Sequence, residues 1–112
     1  MSLIKSTEML IVLTSFSHLS HAQEMARDLI GKRLAACIQI QEGVLSTYSW
    51  KGAVREEREV VLSAKTVASK WNEICSYIKT HHPYDVPEVI ALTPTQYDQQ
   101  YGEWVEAVVN SD

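Results

Sequence analysis

The chain has 112 residues, 46% hydrophobic and 21% charged, with a formal net charge of -4. That composition suits one globular domain, expected to span 1–112, with 1–8 a flexible N-terminal tail. The acidic balance excludes the basic face that a nucleic-acid partner requires. The opening MSLIKSTEMLIVL holds an apolar run too short for a signal or a membrane span. A cytoplasmic address is therefore expected, with Cys37 and Cys75 as reduced thiols.

Met9 to Leu13 is a continuous apolar run and predicts a buried strand. Ser17 or Ser20 can cap the next helix, and Ser20 with Gln23 fits a capping box. Ala22, Met25, Ala26, Leu29 and Ile30 recur at helical spacing, and Gly31-Lys32 marks the end. From Ala36 to Trp50 the apolar residues keep a period of two, which predicts a long strand that Gly43 can bend or bulge. After Lys51-Gly52-Ala53, the residues Val54, Val60, Leu62 and Ala64 share one parity, so a second long strand completes a hairpin.

Two registers are open to that hairpin. A two-residue turn at Lys51-Gly52 puts Tyr48 opposite Arg55 and Val44 opposite Glu59. A three-residue loop pairs Trp50 with Val54, Val44 with Val60 and Ile40 with Ala64. Opposite residues share a face, so the three-residue loop is expected because it keeps the apolar faces together.

Ser69 can start a second helix with the stripe Trp71, Ile74, Cys75 and Ile78, ended by Pro83. Glu88 to Thr93 reads as a short strand. Tyr101, Trp104, Val105, Val108 and Val109 form the apolar stripe of a last helix. The order is βαββαβ plus a C-terminal helix, an α+β ferredoxin-like arrangement. The hairpin outreaches its helices: about 50 Å of strand faces helices of roughly 18 Å. Tyr48, Trp50 and Val54 at its tip are left for a neighbouring subunit to cover.

The candidate site residues are His81 and His82, in HHPYDVPEVIAL. Imidazoles at a helix C-terminus suit a divalent cation, Cu(II) foremost. Neighbours on a helix point about 100° apart, so the alternative is a helix that merely stops at Pro83. Cys37 and Cys75 read as small buried hydrophobes. Trp50, Lys51, Lys65, Tyr84 and Glu88 are candidates for a pocket at a subunit boundary, or for an ion pair between Lys65 and Glu88. Arg55-Glu56-Glu57-Arg58-Glu59 reads as a solvated rim. No nucleophile signature occurs, so catalysis is not expected.

LAACIQI (Leu34–Ile40), YSWKGAV (Tyr48–Val54), the Glu59–Lys65 strand running into Lys-Thr and HHPYDVPEVIAL resemble the CutA family of divalent-cation tolerance proteins, in order and over nearly the whole chain. The resemblance implies a ferredoxin-like subunit in a homotrimer, cytoplasmic, and a role in copper and heavy-metal tolerance. It implies copper or other divalent metals on His81 and His82, with Thr14 where copper-binding members have a cysteine. A hydroxyl is a poor ligand for soft copper. The alternative reading, from another class, is a PII-like trimeric sensor or scaffold that takes a small anion or a protein partner at its inter-subunit clefts.

Overall fold

A computed structural model describes residues 5–110. Strand β1 (Met9–Phe16) leads into helix α1 (Leu19–Gly31). Strands β2 (Cys37–Trp50) and β3 (Ala53–Val67) form the hairpin. A 3₁₀ turn over Ala68–Lys70 enters α2 (Trp71–His81), followed by β4 (Ile90–Leu92) and α3 (Gln99–Asn110). The sheet order is β2-β3-β1-β4, with every neighbouring pair antiparallel. This is the expected ferredoxin-like arrangement.

Alternate residues of β1 and β3 build the main core. Leu10, Val12, Phe16, Leu62 and Ala64 pack with Ala22, Met25 and Leu29 of α1 and Ile74 and Ile78 of α2. The opposite face is covered at one end, where Val105 and Val109 of α3 meet Met9 and Val67. Beyond that end it is open. Ile11 faces Leu92 and Leu13 faces Ile90 across β1 and β4. Ile90 and Leu92 are exposed, while Ile11, Leu13 and Val61 are half-buried. No helix among the described residues is long and apolar enough to cross a membrane.

Three local expectations change. The N-cap of α1 is His18, without a side-chain cap. Ser20 already lies inside the helix, and Ser17 is engaged with Tyr84, so the capping box does not form. Tyr101 and Trp104 stack on each other and stay exposed; α3 buries its valines instead. The expected tail over 1–8 lies partly outside the described residues, but Ser6 and Glu8 are tied down. Their carbonyls accept bonds from Ser69 and Ala68 at 2.9 Å each.

The hairpin register is the largest correction. Trp50 pairs with Ala53, not Val54, and Val44 pairs with Glu59, not Val60. The turn is Lys51-Gly52, with φ of 50° and 79°, the backbone of a two-residue turn that matches strand twist. The apolar parity is restored by a bulge instead. Gln41 pairs with Val61 and Val44 with Glu59, so Glu42 and Gly43 together face Val60. Gly43 has φ 73°, as such a bulge requires. Inboard of it Ile38 and Ile40 oppose Ala64 and Leu62. Outboard, one extra residue has turned the strand over. Val44, Ser46 and Tyr48 now share a face with Glu59, Glu57 and Arg55, on the side away from α1 and α2.

Candidate functional site

Pro83 ends α2 as expected: His82 is extended, at φ -80° and ψ 139°, because the residue before proline avoids the helical region. That turn sends the two histidines apart. His82 is buried and stacks on Phe16 at 4.4 Å. Its Nε2 donates to the Ser15 carbonyl at 2.8 Å, and its Nδ1 accepts from the Tyr84 N–H at 3.1 Å. Those partners fix the tautomer and use both ring nitrogens. Burial pushes the His82 pKa down, against the opposing pull of the Ser15 carbonyl and Glu59.

His81 points outward and stacks on Tyr77 at 4.0 Å. Its Nδ1 lies 3.0 Å from the Tyr77 carbonyl and donates to it, which leaves Nε2 with a free lone pair. It lines an open groove of about 730 Å³ with Lys32, Glu73 and Thr80. As folded, the pair offers one free imidazole nitrogen rather than two. Thr14 is fully buried on the core side of β1, and its hydroxyl has no partner. Among the described residues, no three His, Cys, Asp or Glu side chains converge on a point that could hold a metal.

The segment after α2 makes a second constellation. Tyr84 donates its hydroxyl to Glu59 Oε2 at 3.1 Å and shares a 2.7 Å hydrogen bond with Ser17 Oγ. This ties the loop to the hairpin across a cleft of about 670 Å³. Tyr48 and Trp50 form its aromatic wall, and Glu57, Glu59 and Glu88 its acidic one. Burial raises the Tyr48 pKa, and its hydrogen bond to Glu57 raises it further. Burial likewise raises that of Tyr84.

Of the five residues expected to form a pocket, Trp50, Tyr84 and Glu88 meet in this cleft. Lys51 sits over the Trp50 ring at 5.8 Å. Lys65 is elsewhere, paired across the ladder with Cys37, and its ammonium bonds the Gln39 side-chain oxygen. The Lys65–Glu88 ion pair is therefore not made within the subunit. Cys37 and Cys75 are half-buried rather than core. Glu57 and Glu59, read as a solvated rim, prove to be cleft wall. The signal for them was their shared parity with Arg55, which became informative only once the bulge turned Tyr48 to the same face.

The family profile described as CutA1 divalent ion tolerance protein matches residues 10–108. A divalent-cation tolerance protein CutA of Yersinia pestis is 35% identical over 98 residues, covering 88% of this chain and 82% of that protein. A CutA homolog of Xenopus laevis is 40% identical over 88 residues, 79% of this chain. The chain spans only 58% of the length of that frog protein. The solved CutA structure from Synechococcus elongatus superposes with a TM-score of 0.88 at 31% identity, covering 97% of this chain and 96% of that one. With the profile spanning nearly every element, the chain belongs to the CutA1 divalent ion tolerance protein family.

Proposed function

We propose that the chain acts in divalent-cation tolerance as a cytoplasmic homotrimer that binds copper(II) modestly, with no catalytic step. The observation that carries the cation part is His81: its outward Nε2 is a free imidazole donor at a helix C-terminus, where a cation is favoured. His82 becomes a second ligand only if Tyr84 releases Nδ1. Remaining positions fall to water or to groups of another subunit. Thr14 supplies no soft donor, so Cu(II) is favoured over Cu(I).

Titration of the assembled protein with Cu(II) tests this. Binding should be measurable at pH 7.5 and weaker at pH 5.5, because a protonated imidazole cannot ligate. His81→Ala should lose most of it. Equal affinity in parent and variant dismisses the assignment. The sensor reading gains a cleft from the structure, but an acidic one, which does not favour an anionic ligand.

A further inference from the structure

We propose that His81 takes copper as a small carboxylate-bearing chelate, a Cu(II) already held by three donors of an aminocarboxylate-like ligand, and not as the bare ion. The inference rests on the assignment of copper to His81 and names the form in which the metal arrives there. It starts from the donors. His81 offers Nε2 alone, because Nδ1 donates to the Tyr77 carbonyl at 3.0 Å. His82 spends both of its nitrogens on backbone groups. Among the described residues, no three His, Cys, Asp or Glu side chains converge to complete a shell. Cu(II) favours a square-planar or tetragonal arrangement. A tridentate chelate fills three in-plane positions and leaves the fourth to water. The step is a ligand exchange. The Nε2 lone pair forms a Cu–N bond, the Cu–O bond to that water breaks, the water leaves, and the metal keeps its oxidation state.

The single donor is held in place. The His81 ring stacks on Tyr77 at 4.0 Å with 22° between the planes. The Tyr77 hydroxyl donates to Asp28 Oδ2 at 3.0 Å, which fastens this platform to α1. A fixed donor loses little freedom on binding. The groove around it, of about 730 Å³, is in the range of small-molecule sites and far larger than a metal ion needs.

The charges in the groove decide the form of the cargo. The Lys32 ammonium stands 5.5 Å from the centre of the same Tyr77 ring, so a ligand a few atoms long reaches both it and His81. A cation beside the donor opposes a bare dication and attracts a metal whose ligand carries carboxylates. Glu73 lines the groove too, but it is eight residues before His81 on α2, about 12 Å along the helix axis. Both helices pack on the core side of the sheet, opposite the open face, so the proposed assembly does not need this surface.

The test is calorimetric titration of the assembled protein with the Cu(II) complex of iminodiacetate. The Cu(II) complex of diethylenetriamine, which has the same open position and no carboxylate, is the counterpart. Exposed imidazoles such as His18 and His21 take either complex weakly, and His81→Ala measures that background. The iminodiacetate complex should bind the parent about tenfold more tightly than it binds His81→Ala. Lys32→Gln should weaken it about threefold, the scale of an exposed ion pair, and should not weaken the diethylenetriamine complex. Copper EPR of the parent should show one added nitrogen, absent in His81→Ala. Equal binding by parent and His81→Ala, or no effect of Lys32→Gln on the iminodiacetate complex, overturns the proposal. Aqueous Cu(II) bound through His81 without binding of the chelate removes this inference and leaves the copper assignment standing. Binding of neither removes both.

Discussion

His82 contributes to the fold as a neutral ring. It accepts from Tyr84, donates to Ser15 and stacks on Phe16. In the unfolded chain its proton binds near the ordinary 6.5, while in the fold burial holds the pKa lower. Between those values the unfolded state takes up the extra proton. Stability from this ring is therefore full above about pH 6.5 and is lost as pH falls toward the lowered value. Thermal melts from pH 8 to 5 should show that slope, and His82→Gln should flatten it. That variant should also cost about 1–3 kcal/mol, since an amide cannot keep both ring hydrogen bonds and the Phe16 stack in the same geometry. Thr66 is the converse case. It is fully buried, and its hydroxyl has no partner. Thr66→Val should be neutral or stabilising by up to about 1 kcal/mol in urea denaturation; a clear destabilisation would show that the hydroxyl is satisfied. Neither role was legible in the sequence. His82 is held by a backbone carbonyl and a backbone N–H, and such partners leave no residue-type signature.

Elements were legible where one period decided them. The apolar run of β1, the stripe Ala22, Met25 and Leu29, and Pro83 as a stop each appear where expected. The hairpin was half legible. The period of two is real over β2, but one face was assumed for its whole length, so the turn was given the extra residue that belongs to the bulge. Gly43 was the clue, since among the described residues it alone in mid-strand carries a positive φ. The cleft was illegible for a related reason: its walls come from Ser15, from the hairpin and from the Tyr84 loop, and their juxtaposition depends on the bulge. Gly43→Ala forces a Cβ into the left-handed region and should cost about 1–2 kcal/mol. Gly31→Ala, at a helical position with open space around it, should be neutral or stabilising by up to about 1 kcal/mol. Denaturant midpoints of the two variants check the contrast; equal effects would mean that the bulge is soft.

At the scale of the molecule, the open sheet face is the feature in need of a partner. Ile90 and Leu92 are exposed on it, beside half-buried Ile11 and Leu13. The tip adds Tyr48 and Trp50, and on its other face Val54 at 79% exposure. Exposed apolar side chains on this face are the kind of surface that the proposed neighbouring subunits would cover. Static light scattering at micromolar concentration should give about three times the 12.7 kDa chain mass, with stability rising with protein concentration. Leu13→Glu should dissociate the assembly, and Trp50→Ala should weaken it by a few kcal/mol, the scale of a buried aromatic anchor. A stable monomer in the parent would remove the trimer from the proposal.

The bulge gives the hairpin one spare residue. Deleting Glu42 would leave Gly43 alone opposite Val60, with Gln41 still against Val61 and Val44 still against Glu59, so the ladder would become regular and Tyr48 and Trp50 would keep their face. That slack is used once: a second deletion in this segment must move the turn or shorten one strand against the other. Two chains that differ by a single residue at this point therefore still share a cleft wall, because what differs is the bulge and not the faces.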